Sequence, residues 1–99
     1  IKGNQVYKEK VLEALQEMPC CEEAEIMPFQ SSNGEIRLEA FLTPKTLSKK
    51  DIMHFLENRL HPWEMPVRFF FLRELPRTST GKIDYAMLRH IQEGVSFSV

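Results

Sequence analysis

The sequence predicts an α+β fold, with a small three-stranded, mostly antiparallel sheet flanked by about three helices. Two observations indicate this class. Apolar residues recur at helical spacing in three separate stretches. Two strand-like stretches flank Ser31-Ser32-Asn33-Gly34, a hairpin signal because Asn-Gly tolerates positive φ at both turn positions. The 99 residues, of which 42% are hydrophobic, suffice for one core, so we expect a single domain.

Each element follows from a local pattern. The first helix is predicted over about residues 8–18, and it stops before Pro19. Strands are predicted over residues 24–29, 36–42 and 67–72. A second helix opens at a capping box beginning with Ser48 and ends at Pro62. The last helix is predicted from Asp84 to about residue 92, with an inward face of Tyr85, Leu88 and Ile91, and we expect the last five residues to fray.

The most informative segment spans residues 75–84, which read Leu-Pro-Arg-Thr-Ser-Thr-Gly-Lys-Ile-Asp. It places one lysine in a flexible, hydroxyl-rich loop between a strand and a helix. Gly81 permits positive φ or a close approach to a ligand. Lys82 projects as a movable cation suited to an oxygen anion. Asp84 is a plausible helix N-cap. The pattern therefore indicates phosphate or carboxylate chemistry.

Two other interpretations of this segment exist. A nucleotide-binding P-loop needs an earlier glycine and a hydroxyl after the lysine, and here Ile83 follows the lysine, so that interpretation fails. On composition alone, an ordinary solvated surface turn remains open.

The whole segment closely resembles the last core motif of the adenylate-forming superfamily, which comprises acyl-CoA ligases, nonribosomal peptide synthetase adenylation domains and luciferases. The residues that match the motif are Pro76, Thr78, Gly81, Lys82, Ile83 and Asp84. Residues 1–6 are similar to the tail of the family's hinge-adjacent motif, and residues 62–66 are similar to the stretch before the last motif. Departures from the family pattern occur at Gln5, Tyr7, Lys10 and Tyr85. The resemblance covers nearly the whole chain.

The resemblance implies the mobile C-terminal lid domain of an AMP-forming acid-thiol ligase, in which a carboxylate is adenylated by ATP and a thiol then takes the acyl group. It implies that Lys82 is catalytic in adenylation, that Thr80 and Gly81 lie on the ATP/AMP side, and that Gly3 lies on the pantetheine side. ATP and Mg2+ would be held mainly by a large N-terminal domain that residues 1–99 lack. CoA or a phosphopantetheine carrier protein would be the acceptor.

Three alternatives stay open beside the active lid. The chain could be a separate subunit, an inactive lid that serves as a docking module for a carrier protein, or a small binding domain with a chance motif. Lys82 favours the active lid, because a pure docking module has no need of it. By itself the 99-residue domain is expected to be inactive.

Composition and charge argue against several classes of binding partner. The net charge of −1 gives no general attraction to nucleic acid or to an anionic membrane. No apolar run approaches the roughly 20 residues that span a bilayer. The three histidines lack partners at ligand spacing, so no metal site is predicted. Cys20 and Cys21 are adjacent and unsuited to pairing with each other, which indicates reduced thiols in a cytoplasmic protein.

Overall fold

The computed structural model describes the backbone of residues 2–94 and the side chains of residues 8–94. Within these residues the chain forms three α-helices, three strands and one short 3-10 turn. In chain order they are α1 (Lys2–Gln16), β1 (Glu23–Gln30), β2 (Ile36–Thr43), α2 (Lys49–Glu57), the 3-10 turn (Pro62–Glu64), β3 (Arg68–Phe71) and α3 (Tyr85–Gln92). The α+β class is confirmed. The expected fraying at residues 95–99 lies outside the described residues.

The sheet has the strand order β1-β2-β3. β1 and β2 form a long antiparallel hairpin, from the pair Glu23 and Thr43 to the pair Gln30 and Ile36. β2 and β3 pair in parallel, because the chain crosses over through α2 before it enters β3 in the same direction as β2. The sheet is therefore mixed, and its longer pairing is the antiparallel one.

Both faces of the sheet are covered, so the central strand β2 is buried on both sides. The first face packs against α1 and α2 in a core that is centred on Val11, Leu15, Ile26, Leu42, Ile52 and Leu56. The second face packs against α3 and the preceding loop in a smaller core of Met27, Phe41, Leu75 and Leu88. Phe69 and Phe71 pack on the first core, and Phe70 packs on the second. The segment at residues 75–84 therefore belongs to the second face.

Polar contacts reinforce the second face. Arg68 is paired with Glu39 across the parallel strands, and its Nη2 atom donates to Glu39 Oε1 at 3.0 Å. The same Nη2 atom donates to the Gln92 carbonyl at 2.8 Å. The Glu39 residue is only 1% exposed, so removal of the arginine would leave a buried carboxylate without its cationic partner. This ion pair ties β2, β3 and the end of α3 together.

The 3-10 turn has an exposed aromatic pair above a buried carboxylate. The Trp63 ring stacks on the His61 ring at a centroid distance of 4.4 Å, and Trp63 is 67% exposed. Beneath them, Glu64 is buried and accepts from the His61 N–H at 2.8 Å and from Lys10 Nζ at 3.0 Å. Burial disfavours the Glu64 carboxylate, but these two donors outweigh it and lower the pKa of Glu64.

Three predictions for the first half of the chain differ from the structure, and α2 ends at Glu57, before the predicted end at Pro62. α1 begins at Lys2 rather than near residue 8, because no proline interrupts residues 2–8. It ends at Gln16 rather than at residue 18, because a proline at 19 disfavours helical φ/ψ in the residue before it. The turn between β1 and β2 has positive φ only at Gly34 and not at Asn33, since it is closed as a longer loop ending in a left-handed glycine.

Candidate functional site

Residues 76–84 fold into a small hairpin. The Asp84 N–H donates to the Pro76 carbonyl at 2.9 Å, and the Thr78 N–H donates to the Lys82 carbonyl at 2.7 Å. The Gly81 N–H closes the tip by donating to the Thr78 carbonyl at 2.9 Å. We call residues 78–82 the motif turn. These hydrogen bonds close the backbone of the motif turn, and they do not involve the Gly81 carbonyl.

Gly81 is required by the conformation of the motif turn. Its φ is +89°, a left-handed value that residues with a Cβ adopt only at a cost. A Cβ built at this position would meet nothing within 4 Å. The sequence left two possibilities open for Gly81, a positive φ or a close approach to a ligand, and the structure shows the positive φ. The need for glycine here comes from the backbone conformation rather than from crowding.

Asp84 begins α3 as predicted. Its Oδ1 atom accepts from the Met87 N–H at 3.1 Å, which satisfies one of the unpaired donors of the first helical turn. Leu88 is buried on the inner face of α3. Tyr85 was predicted to face inward, but it is 47% exposed, because its phenol needs a hydrogen-bond partner and reaches one at the margin of the sheet.

The three predicted site residues on this side, Thr80, Gly81 and Lys82, are consecutive and exposed. The Thr78 and Thr80 hydroxyls lie 2.9 Å apart. Within the described part of the chain, the Lys82 ammonium forms no hydrogen bond or salt bridge. The motif turn thus offers one unpaired cation beside two hydroxyls, an arrangement that suits one edge of an anionic group.

Gly3, predicted for the pantetheine side, lies in the first turn of α1. The side chains of residues 1–7 are outside the described residues, and its role stays a prediction.

Two carboxylates of β1 contact residues on either side of the motif turn. Glu23 accepts from Arg77, just before the motif turn, and Arg77 Nη1 also donates to the Gly81 carbonyl at 3.1 Å. Glu25 Oε2 accepts from the Tyr85 hydroxyl at 2.8 Å, just after the N-cap of α3. This hydrogen bond, together with partial burial, raises the pKa of Tyr85.

Sequence reasoning missed these contacts. The available signal was the alternation of Glu23 and Glu25 along a strand, which places both carboxylates on one face of the sheet.

The described residues contain neither a cluster suited to a metal ion nor a helix suited to a membrane span. No three or more histidine, cysteine, aspartate or glutamate side chains are grouped to hold a metal ion among the residues that the structure describes. In the same residues, no helix is both long and apolar enough to cross a membrane.

Sequence comparison relates the chain to much longer proteins. It is 32% identical over 89 residues to surfactin synthase subunit 3 of Bacillus subtilis, a match that covers 89% of this chain and 7% of that protein. It is 26% identical over 92 residues to a 2-succinylbenzoate-CoA ligase of Bacillus cereus, covering 92% of this chain and 19% of the ligase. The chain thus spans less than a fifth of the length of these relatives. No family model matches the chain.

Structure comparison finds the same fold inside larger chains. MatB from Rhodopseudomonas palustris, in its apo form, superposes with a TM-score of 0.77 at 21% identity, over 90% of this chain and 18% of MatB. Because the identity is low, this likeness shows that the chain shares the fold of that part of MatB. The chain resembles the C-terminal domain of the adenylate-forming superfamily over nearly all its length, and the resemblance stated from the motifs is confirmed.

Proposed function

We propose that this chain is the mobile C-terminal domain of an AMP-forming carboxylate-thiol ligase and that Lys82 serves the adenylation step. The observation that carries the proposal is the Lys82 ammonium, which has no partner among the described residues and is presented by a turn that backbone hydrogen bonds close. The similarity to a CoA ligase over 92% of the chain supports the same reaction class. The partners are the larger N-terminal domain of the same enzyme, a carboxylate substrate, and CoA or a carrier protein.

In the first step, the substrate carboxylate attacks the α-phosphate of ATP, an acyl-adenylate forms, and pyrophosphate leaves. Negative charge develops around the α-phosphate during this exchange. Lys82 would bridge the carboxylate and the α-phosphate region, with Thr80 and Gly81 on the nucleotide side. Mg2+, as the resemblance implies, would be held by the larger domain. A cation about 4 Å from a developing anion contributes roughly 4 kcal/mol at an effective dielectric constant near 20.

The test is carboxylate-dependent ATP–pyrophosphate exchange by the full-length protein that carries this chain. Lys82→Ala is expected to lower the exchange rate about a thousandfold, the equivalent of about 4 kcal/mol in the barrier. The fold should remain intact, because an exposed side chain contributes little to stability. Lys50→Ala, which removes an exposed lysine from α2 on the other face of the sheet, is the matched control and should leave exchange unchanged.

The second step, acyl transfer to the thiol, tests whether Lys82 acts in adenylation alone. Transfer of the acyl group from a preformed acyl-adenylate to the thiol should survive Lys82→Ala. An equal loss in both steps would contradict the assignment of Lys82 to adenylation. Normal exchange by Lys82→Ala, or no exchange by either protein with a broad panel of carboxylates, would favour the docking-module alternative.

Gly3 is proposed to approach the phosphopantetheine arm during the second step. A bulky substitution such as Gly3→Leu should therefore slow acyl transfer to the thiol more than it slows adenylation. Both rates can be measured on the same preparation. Equal effects on the two steps would contradict a pantetheine-side role for Gly3.

A further inference from the structure

The turn between β1 and β2, at residues 31–35, has the same pattern of backbone hydrogen bonds as the motif turn. The Ser31 N–H donates to the Glu35 carbonyl at 2.8 Å, and the Gly34 N–H donates to the Ser31 carbonyl at 2.9 Å. Gly34 has the same φ of +89° as Gly81. We call residues 31–35 the hairpin turn. The hairpin turn is an internal reference, because it has a similar backbone and no catalytic role is proposed for it.

The residue before each turn makes the corresponding contact. Gln30 Nε2 donates to the Gly34 carbonyl at 3.4 Å, and Arg77 Nη1 donates to the Gly81 carbonyl at 3.1 Å. Among the described residues, the Gln30 side chain makes no further hydrogen bond. Arg77 uses its second terminal nitrogen, Nη2, to donate to Glu23 of β1. A guanidinium can make both contacts at once because its donors form a rigid fork.

We infer that Arg77 is a positioning residue for adenylation, which fixes the direction in which Lys82 leaves the motif turn by tying the Gly81 carbonyl to Glu23. The inference rests on the proposed function. The Gly81 carbonyl belongs to the peptide bond that leads into Lys82, so a restraint on this carbonyl orients that peptide. Both partners of the Arg77–Glu23 pair are anchored outside the turn itself, one on β1 and one at the base of the hairpin.

The Arg77–Glu23 link is not needed to build the turn. The backbone hydrogen bonds close the hairpin turn equally well with a neutral glutamine in the preceding position. The Arg77 and Glu23 side chains are each 42% exposed, and ion pairs with this exposure contribute little to folding stability. Their contribution is therefore to orientation, where a displacement of about 1 Å can cost about a hundredfold in rate.

The test is Arg77→Gln in the full-length protein, because this change reproduces the arrangement found at Gln30. The glycine carbonyl keeps a donor, and the link to Glu23 is lost. We expect ATP–pyrophosphate exchange to fall about ten- to a hundredfold. Acyl transfer from a preformed acyl-adenylate and the melting temperature should stay unchanged. Arg37→Gln, which removes an exposed arginine beside the hairpin turn, is the control and should leave both steps unchanged.

Two further variants show whether the effect passes through Lys82. Glu23→Gln should lower exchange as much as Arg77→Gln, and the double variant should lose no more than either single one. In a Lys82→Ala background, Arg77→Gln should cause no additional loss. These results would support a positioning role, because a merely structural residue would affect both half-reactions and add to the Lys82→Ala loss.

The experiments distinguish a failure of the Arg77 inference from a failure of the proposed function. If Lys82→Ala abolishes exchange while Arg77→Gln exchanges normally, the positioning role is wrong and the proposed function stands. The positioning role is also wrong if Arg77→Gln slows both half-reactions equally or lowers the melting temperature by several degrees. If Lys82→Ala itself exchanges normally, the proposed function fails, and the inference about Arg77 fails with it.

Discussion

The hairpin turn and the motif turn are two copies of one backbone at opposite ends of β1. Arg77 contacts Glu23 at the start of the strand, and the hairpin turn follows Gln30 at its end, roughly 23 Å away at 3.3 Å per residue. In the hairpin turn, Asn33 Oδ1 accepts from the Glu35 N–H at 2.9 Å, and Glu35 pairs with Arg37 at 2.9 Å. The motif turn instead carries a lysine with no partner among the described residues, and Arg77 links the Gly81 carbonyl of this turn to Glu23 of β1. The comparison indicates that the backbone is a common scaffold and that the side chains distinguish the candidate site.

Charge reversal at the last residue of each turn, Lys82 or Glu35, should reveal the largest difference between the two turns. Lys82→Glu is expected to lower ATP–pyrophosphate exchange by more than the about thousandfold loss expected for alanine, because a carboxylate adds repulsion from the phosphate to the loss of attraction. Glu35→Lys should change exchange by less than about twofold, since exposed ion pairs contribute little. Similar losses from the two reversals would mean that the motif turn has no special role in adenylation.

Alanine substitutions at Gly81 and Gly34 should have similar effects on stability and different effects on adenylation. Gly81→Ala and Gly34→Ala should each lower the free energy of unfolding by about 1 to 2 kcal/mol, because both force a Cβ into the same left-handed φ. Urea unfolding measures this loss. Only Gly81→Ala should also slow adenylation, since it shifts the peptide that leads into Lys82. A large difference between the two unfolding losses would contradict the equivalence of the two backbones.

Removal of the Tyr85 hydroxyl should weaken the contact between β1 and the start of α3. Tyr85→Phe is expected to cost about 1 kcal/mol of folding stability through loss of the hydrogen bond to Glu25. The pKa of Tyr85 is raised above its ordinary value of 10.0, so the folded state retains the phenol proton longer than the unfolded state. This stabilisation is therefore present below pH 10 and is lost as the pH rises further.

The pH dependence of urea unfolding checks the Tyr85 prediction. The unmodified protein should lose more stability above pH 10 than Tyr85→Phe does. Parallel stability curves for the two proteins would show that the hydroxyl contributes nothing to the link.

The third position of each turn should give the smallest effects, on the KM for ATP in the motif turn and on stability in the hairpin turn. Thr80→Ala is expected to raise the KM for ATP about two- to tenfold, the value of one hydrogen bond, with no change in stability. Asn33→Ala should leave the KM unchanged and cost about 1 kcal/mol, because its side chain satisfies the hairpin turn internally. Steady-state kinetics and thermal unfolding of both variants make the comparison. An unchanged KM in Thr80→Ala would remove that hydroxyl from the nucleotide side.

The parts of the fold that could be predicted are those with a local signal. Ser48 caps α2 by accepting from the Asp51 N–H, and Asp84 caps α3 by accepting from the Met87 N–H, because both caps depend on residues within one helical turn. The direction of β3 could not be derived in this way, since it depends on how α2 crosses the sheet. The margin position of Tyr85 likewise depends on a partner 60 residues away.

The candidate site divides in the same manner. Thr80, Gly81 and Lys82 are contiguous and lie within one motif, which Gly81 and Lys82 match. Glycine also permits the positive φ that the structure shows at Gly81. The Arg77–Glu23 contact joins residues 54 positions apart and depends on the packing of the second face. Sequence patterns identify the group that presents its charge, whereas the groups that orient it are found only once the chain is folded.

Trp63, the chain's only tryptophan, gives the domain a natural optical label. Its stacked, largely exposed ring lines the same surface depression as Glu35 and Arg37, so it lies at the hairpin-turn end of the sheet rather than beside Lys82. Indole emission responds to the surrounding solvent, and substitutions in the motif turn would leave that environment unchanged. Fluorescence from this ring would therefore report on the hairpin-turn end of the isolated 99-residue domain without any added dye.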